Sequence, residues 1–167
     1  MSAWRQLEAV WAGRRMRFEP AEGRALPEQP PARYVVVLIS DGDDRYLLAE
    51  IRGRGYCAPS GRIEPAETAE QAASREAYEE AGARLENLQL LGWYWLEPCS
   101  ATEPEPCLAP VFWARAAQLE PIPAVEESLG RRWARIEEMP ALYYDWSPLI
   151  EAVFRYADTY RQTVAQR

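Results

Sequence analysis

Residues 61–83 read GRIEPAETAEQAASREAYEEAGA, and this stretch predicts more about the protein than any other part of the chain. Three carboxylates, Glu76, Glu79 and Glu80, fall within one turn of a predicted helix. Side chains three and four residues apart are neighbours on a helix surface, where like charges cost roughly 0.2–0.5 kcal/mol per pair. A chain that gathers carboxylates in this way usually places a cation between them, and hard divalent cations prefer oxygen ligands. We therefore expect a divalent metal site on this turn.

The helix that carries these glutamates has predicted signals at both ends. Thr68 followed by Gln71 forms a capping box, and Gly82 suits the left-handed position after the last turn. We expect the helix to run from about residue 69 to residue 81. Several alanines in this range permit a close approach to a sheet.

Strands and a C-terminal helix are predicted in the part of the chain that begins at residue 33. Apolar runs rich in β-branched and aromatic residues predict strands at residues 34–39, 45–51, 86–97, 107–116 and 131–136. Ser147-Pro148 predicts the start of a C-terminal helix that ends near residue 162. Periodicity alone therefore indicates an α/β or α+β fold.

The first part of the chain is predicted to be an extension, residues 1–32, ahead of a domain at residues 33–167. Residues 2–12 predict a short amphipathic helix, and the Pro-rich residues 20–32 predict a connector. The apolar side of the N-terminal segment would cover the sheet or a second subunit, which leaves a homodimer open.

Composition excludes several kinds of chemistry. The chain has no histidine and no lysine, so all 19 basic residues are arginine. This excludes a histidine general base, a histidine-ligated zinc site and a Schiff-base lysine. The net charge of −7 argues against broad nucleic-acid binding, and no apolar run reaches the ~20 residues that span a bilayer. The odd count of three cysteines, Cys57, Cys99 and Cys107, fits a reducing cytoplasm better than a disulfide framework.

The spacing in the opening stretch resembles the signature of the Nudix hydrolases, G-x5-E-x7-R-E-U-x-E-E-x-G-U, where U is a bulky aliphatic residue. Seven fixed positions are in register: Gly61, Glu67, Arg75, Glu76, Glu79, Glu80 and Gly82. Ala77 and Ala83 occupy the positions where larger aliphatic residues are usual.

The resemblance implies an α/β/α sandwich around a mixed β-sheet. It also implies hydrolysis of a nucleoside diphosphate linked to another moiety, with water attacking phosphorus and Mg2+ or Mn2+ as cofactor. Glu76 and Glu80 would be the principal metal ligands, and Glu79 would join them at a second ion or through water. The backbone carbonyl of Ser60 would be a further ligand.

Supporting and substrate-binding roles follow from the same resemblance. Arg75 and Glu67 would form an ion pair that orients the metal ligands. Arg52, Arg54 and Arg62 flank the signature and could bind phosphate oxygens in a bidentate manner.

A further carboxylate is expected from the loop before the last strand, as a base or an extra ligand. Three residues are candidates, namely Glu120, Glu126 and Glu127. Glu127 is favoured because it lies six residues before Trp133, a spacing that resembles relatives with an acidic residue ahead of a tryptophan-containing strand.

Pro98, fifteen residues beyond Ala83, resembles the proline that marks the ADP-ribose pyrophosphatase branch, and Glu103 would be the matching acid. We therefore expect a small-molecule, ADP-ribose-like nucleotide as substrate. A nucleoside triphosphate pyrophosphohydrolase of house-cleaning type is the second hypothesis. The third is a nucleotide-binding module without catalysis, which the intact glutamate triad disfavours.

Overall fold

The computed structural model describes residues 7–165, with side chains up to residue 162, as a nine-stranded mixed sheet and three helices. The strands are β1 (Ala9–Trp11), β2 (Arg14–Pro20), β3 (Tyr34–Ser40), β4 (Arg45–Ile51), β5 (Gly55–Cys57), β6 (Ser60–Arg62), β7 (Ala83–Glu97), β8 (Cys107–Leu119) and β9 (Ser128–Arg135). The helices are α1 (Ala69–Ala81), α2 (Met139–Leu142) and α3 (Pro148–Ala165), with a 3-10 turn at Ile136–Glu138. No helix in the described range is long and apolar enough to cross a membrane.

The sheet is mixed because one strand pair is parallel. Its order is β1-β2-β7-β8-β3-β4-β5, while β6 pairs with β3 and β9 pairs with β4. Strands β3 and β8 run parallel, with Val36 opposite Val111, and the other pairs are antiparallel. The parallel pair lies at the centre of the sheet, where both faces can be covered.

Helices cover both faces of the sheet, which confirms the predicted α/β/α sandwich. On one face α1 packs through alanines against alternate residues of β3, including Val35 and Val37. On the other face α3 packs through residues such as Phe154 against Leu38 and Leu48. Alternate residues of β3 therefore belong to different cores, as the period of two in a strand requires.

Helix α1 begins and ends where the sequence predicts. The Thr68 hydroxyl accepts from the Gln71 backbone N–H at 3.1 Å, and the Gln71 side chain accepts from the Thr68 backbone N–H at 2.9 Å. Gly82 ends the helix with φ of 65°, in the left-handed region. Ala77 and Ala83 are fully packed, at 0% and 1% exposure. Ala77 lies on the helix and Ala83 is the first residue of β7, and both belong to the core between the helix and the sheet. The small size of these side chains allows the helix to pack close to the sheet.

The predicted N-terminal helix is wrong in the part that the structure describes; its first residues lie outside that part. Strands β1 and β2 form a hairpin there, and β2 pairs with β7 in the main sheet. The two turn residues between β1 and β2 are Ala12 and Gly13. Their φ values are 51° and 79°, and a two-residue hairpin turn requires such positive values. Met16 and Phe18 on β2 are buried two residues apart, so the period is that of a strand.

The cysteine expectation is also wrong in part. Cys99 and Cys107 form a disulfide, and Cys57 is free and buried. The two bonded cysteines stand at the open end of the β7–β8 pair, where Leu96 lies opposite Cys107. An odd cysteine count thus concealed one local pair, and it no longer supports a reducing compartment.

The remaining differences are in the bounds of the elements. Strands β7, β8 and β9 are each longer than predicted, and the last strand ends before Ile136, which begins the 3-10 turn. The loop predicted before α1 contains two short strands, β5 and β6. Short elements of three or four residues carry too little periodic signal to be predicted from sequence.

We expect Thr68→Ala to lower the free energy of unfolding by about 1 kcal/mol, because the hydroxyl that caps α1 is lost. Urea unfolding followed by circular dichroism measures this change. Thr68→Ser keeps the hydroxyl and is the matched control. Equal stability of the alanine and serine variants would contradict the capping role.

Candidate active site

The second half of α1 places two glutamates against strand β6. Glu76 and Glu80 are one turn apart and are buried, at 8% and 7% exposure. Glu79 lies between them in sequence and is more exposed, with 41% of its side chain accessible. The predicted cluster therefore consists of two buried carboxylates and one partly exposed carboxylate.

Gly61 is required because the Glu76 carboxylate occupies the space beside its Cα. A Cβ built at Gly61 would overlap the Oε1 and Cδ atoms of Glu76. Gly61 belongs to β6, which pairs with β3 opposite Val35, so the backbone cannot easily move away. The first glycine of the signature is thus explained by a close approach between backbone and carboxylate.

The neighbouring residue, Ser60, holds the second buried glutamate. Its backbone N–H donates to Oε1 of Glu80 at 2.8 Å. At the end of the helix, the buried Ser128 hydroxyl donates to the backbone carbonyl of Glu80 at 2.6 Å. Glu80 is therefore fixed at both its side chain and its backbone.

Arg75 connects the carboxylates of the signature. Its Nε and Nη2 donate to the two oxygens of Glu67 at 2.7 and 2.9 Å, which forms a bidentate ion pair. Its Nη1 donates to Glu76 at 2.8 Å and to Glu79 at 3.3 Å. Hydrogen bonding to Arg75 lowers the pKa of Glu67. One guanidinium thus orients three glutamates.

The two buried glutamates lie in surroundings that disfavour their charged form. Burial raises the pKa of Glu76 to about 7 and the pKa of Glu80 to about 8. Hydrogen bonds from Arg75 and from the Ser60 N–H act in the opposite direction but do not compensate. Desolvated carboxylates of this kind are stabilised by a nearby cation.

The donor set fits a hard divalent cation in its chemistry. All the donors are oxygens, and Glu76 and Glu80 lie side by side on one helix face. Across residues 7–165, no three acidic or sulfur side chains are already grouped to hold an ion. The glutamates instead form a salt-bridged network around Arg75, which contacts one oxygen of Glu76 and one oxygen of Glu79.

Of the three distal carboxylates, Glu127 is the one whose charge acts on the cluster. It raises the pKa of both Glu76 and Glu80. Its backbone carbonyl accepts from the Arg52 N–H at 2.8 Å, which fixes the loop beside β4. Glu120 instead pairs with Arg84 at 2.7 Å. Glu127 thus contributes to the electrostatics of the predicted ligands whereas Glu120 is paired with Arg84, and the role of Glu127 as the further carboxylate stays a prediction.

A cavity of about 320 Å3 opens beside the carboxylates, and Ser60 and Gly61 line it. Two of the predicted phosphate-binding arginines, Arg54 and Arg62, also line it. Aromatic side chains form much of the remaining wall, namely Trp11, Tyr34, Tyr94, Tyr143, Tyr144 and Phe154.

Three other predicted substrate-binding residues do not line this cavity. Arg52 uses its Nε to donate to the Glu126 carbonyl at 2.7 Å, so it supports the loop. Glu103 pairs with Arg33 at 3.1 Å. Pro98 is exposed and directly precedes Cys99 of the disulfide, after a cis peptide bond. None of the three is among the residues that line the cavity.

Sequence reasoning missed the contribution of the N-terminal hairpin. Trp11 and Arg14 line the cavity, and the Arg14 guanidinium lies 4.4 Å from the Trp11 ring centroid and 5.3 Å from that of Tyr34. Its Nη1 donates to the Cys99 carbonyl at 2.8 Å. The signal that could have found the hairpin is the alternation of polar and apolar residues at 15–18, where Met16 and Phe18 each follow an arginine.

Sequence reasoning also missed Asp145, which lines the cavity from the segment before α3. It stands between aromatic residues, in the string YYDW. An acidic residue among aromatics is a weak signal on its own, and its position at the cavity depends on tertiary packing.

Replacing Glu80 with Gln should stabilise the metal-free protein at pH 8 by roughly 1–3 kcal/mol, because a buried charge is removed. The folded pKa of about 8 lies above the ordinary value of 4.5. The carboxyl therefore stabilises the folded state most below pH 4.5 and loses that effect as the pH rises through 8. The stability gained on replacing Glu80 with Gln should therefore shrink towards pH 5. Urea unfolding in the presence of a metal chelator, at pH 8 and at pH 5, measures the free energy of unfolding of the wild type and the variant.

Glu79→Gln is the matched control for this test, since Glu79 is partly exposed and on the same helix turn. We expect Glu79→Gln to change the free energy of unfolding only slightly at either pH. Destabilisation by Glu80→Gln at pH 8 would show that the buried charge is already compensated in the metal-free protein.

A NUDIX domain profile matches residues 30–156 of the chain. The chain is 32% identical over 132 residues to the NAD-capped RNA hydrolase NudC of Pseudomonas syringae pv. tomato, an alignment that covers 77% of this chain and 44% of that protein. A shorter segment of 50 residues is 52% identical to the putative 8-oxo-dGTP diphosphatase YtkD of Bacillus subtilis, covering 30% of this chain and 32% of that protein. The chain thus spans a third to a half of the length of these curated relatives.

Solved structures share the fold. The Bacillus subtilis pyrophosphohydrolase BsRppH superposes with a TM-score of 0.71 at 24% identity, covering 96% of this chain and 98% of that chain. A NUDIX hydrolase from Nitrosomonas europaea superposes with a TM-score of 0.62 at 26% identity, covering 78% and 90%. The signature, the fold and the profile agree, and the chain belongs to the Nudix family.

Proposed function

We propose that the protein is a pyrophosphohydrolase that cleaves the diphosphate linkage of nucleotides and depends on a divalent cation. One observation carries this proposal. Ser60 and Gly61 line the cavity, and the same two residues contact Glu80 and Glu76. A substrate held in the cavity would therefore have its phosphates beside the carboxylate cluster. A volume of about 320 Å3 is within the usual range for small-molecule sites.

Glu76 and Glu80 would hold the cation, with Glu79 and the Ser60 carbonyl as further oxygen ligands. Mg2+ or Mn2+ in this position would neutralise charge on the diphosphate oxygens and lower the pKa of a bound water. Arg75 holds Glu76 and Glu79 in place, and the Ser60 N–H holds Glu80.

Proton transfer would be left to carboxylates, because the chain has no histidine and no lysine. Glu127 is the best-placed candidate for a base or an extra ligand, since its charge already acts on Glu76 and Glu80. The Arg52 N–H fixes its backbone beside the site.

Arginines on the cavity wall would bind the phosphate oxygens. Arg14, Arg54 and Arg62 all line the cavity, and within the described residues none of them forms an ion pair with a carboxylate. Unpaired guanidiniums suit bidentate binding of phosphate. They give the cavity a local positive charge in a chain whose net charge is −7.

Two substrate classes have support. The sequence favours an ADP-ribose-like nucleotide through Pro98 and Glu103, but neither residue lines the cavity. A nucleoside triphosphate is the second candidate, supported by the 52% identity of a 50-residue segment to a protein named as an 8-oxo-dGTP diphosphatase. The Pseudomonas relatives are named as NAD-capped RNA hydrolases. It therefore stays a prediction that this protein does not act on nucleic acid. Its cytoplasmic location and its assembly as a homodimer are predictions as well.

Glu80→Gln should reduce Mg2+-dependent turnover by at least roughly 100-fold, because a principal ligand is lost. Phosphate and product release are measured on ADP-ribose, nucleoside triphosphates, dinucleotides and NAD-capped RNA. Glu70→Gln, an exposed change on the same helix, is the control and should retain activity. Full activity of Glu80→Gln would contradict the metal assignment. A nucleotide that raises the melting temperature of the wild type without being cleaved would support the binding-module hypothesis.

Gly61→Ala should abolish most turnover while leaving the protein folded, because the added methyl displaces the Glu76 carboxylate. Gly130→Ala is the matched control, since a Cβ there meets no atom within 4 Å. Turnover and melting temperature are measured for both variants. Wild-type turnover of Gly61→Ala would show that the position of Glu76 is not critical.

A further inference from the structure

The end of helix α1 is fastened to one segment of the chain, residues 120–131, which comprises the β8–β9 loop and the start of β9. The last carbonyls of a helix have no donor within the helix. Here the segment supplies a donor to each of four consecutive carbonyls. These hydrogen bonds run from the Ala124 N–H to Glu79 at 3.3 Å, from the Ser128 hydroxyl to Glu80 at 2.6 Å, from Arg131 Nη1 to Ala81 at 2.9 Å and from the Glu120 N–H to Gly82 at 2.7 Å. Together they form a clasp between the segment and the helix.

Two side chains of the clasp belong to β9, so the sheet anchors them. Ser128 is buried, at 3% exposure. Arg131 pairs through its backbone with Ala49 of β4. Its Nη1 also donates to the Glu120 carbonyl, so one nitrogen bridges the helix end and the start of the loop. Within the described residues Arg131 forms no ion pair with a carboxylate. Its guanidinium is therefore directed at backbone carbonyls.

The clasp holds the end of α1 that carries the acidic cluster. Glu76, Glu79 and Glu80 all lie in the last two turns of the helix, where the helix dipole is negative and disfavours further negative charge. The last turn of α1 contains no basic residue. Arg131 supplies a positive charge at this end from a neighbouring strand, through its hydrogen bond to the last helical carbonyl.

The clasped segment also carries Glu127, the candidate base or extra ligand. Glu127 directly precedes Ser128, whose hydroxyl bonds the backbone of Glu80 itself. The Glu127 N–H donates to the Ala124 carbonyl at 3.0 Å, and the Ala124 N–H in turn donates to Glu79. Because the contacts on both sides of Glu127 end on metal-binding glutamates, a shift of the loop would change its place relative to them.

We propose that Ser128 and Arg131 are positioning residues, which hold the loop that carries Glu127 in a fixed place against the metal-binding end of α1. The effect on catalysis rests on the proposed hydrolysis, whereas the fastening itself does not. Neither side chain lines the cavity. Loss of the clasp should therefore slow the reaction rather than weaken substrate binding, since small misplacements of reacting groups are costly in rate.

The first test is hydrogen exchange of single backbone amides, followed by NMR in the metal-free protein. In Ser128→Ala and in Arg131→Met, we expect the loop amides of Glu120 and Ala124 to exchange roughly tenfold faster, because a neighbouring bond of the clasp is lost. The amide of Ala72, which is hydrogen-bonded within the first half of α1, should keep its wild-type rate. This contrast separates release of the loop from a general loss of stability.

The second test is steady-state kinetics with the nucleotide that the wild type cleaves fastest. Ser128→Ala should lower kcat roughly tenfold or more and leave KM within about twofold. Ser128→Thr retains the hydroxyl and should recover most of the rate. Arg131→Met should show the same division between kcat and KM. Arg132→Met, an exposed change at the next residue, is the matched control and should behave as the wild type.

Three results overturn the inference. One is exchange that is unchanged, or that accelerates equally at Ala72 and in the loop. Another is a kcat within about twofold of the wild type for either Ser128→Ala or Arg131→Met. The third is a threonine variant as slow as the alanine variant at equal melting temperature. If Ser128→Thr melts lower, Arg131→Met and its control decide the kinetic test.

Hydrogen exchange requires neither metal nor substrate, so the two proposals fail separately. A wild type that cleaves no nucleotide would reject the proposed hydrolysis. Hydrogen exchange would then decide the inference alone, because selective acceleration of the loop amides retains the fastening and any other pattern overturns it.

Discussion

The structure of the site depends on two buried carboxylates held side by side against a backbone that approaches them closely. Glu76 and Glu80 can occupy their positions only because residue 61 has no side chain and because the Ser60 N–H is directed at Glu80. Helix α1 must therefore begin, end and pack at fixed points. The capping box, the alanine face and Gly82 all serve that requirement, and Arg75 offsets part of the repulsion that results.

The sequence predicted this region well because every signal there is local or periodic. The bounds of α1 follow from Thr68, Gln71 and Gly82, which lie within fifteen residues of one another. The mixed sheet and the sandwich followed from the family resemblance, which the profile over residues 30–156 supports. The pairing of Arg75 with Glu67 lies within the same stretch.

The cavity could not be predicted in the same way, because its walls come from distant parts of the chain. Trp11 and Arg14 at one end of the sequence meet Tyr144 and Asp145 near the other end. The N-terminal segment has apolar residues at helical spacing, yet strand pairing with β7 determines its structure. Tertiary pairing thus overrides a weak local preference. The same holds for Cys99 and Cys107, whose proximity is a consequence of the β7–β8 register.

The central claim is that Glu76 and Glu80 form a divalent-cation site next to the cavity. Titration of the protein with Mn2+, with the free ion followed by electron paramagnetic resonance, tests this claim without any assumption about substrate. The account predicts saturable Mn2+ binding by the wild type, which Mg2+ displaces and which the Glu76→Gln, Glu80→Gln double variant loses. Unchanged Mn2+ binding by a folded double variant would contradict it.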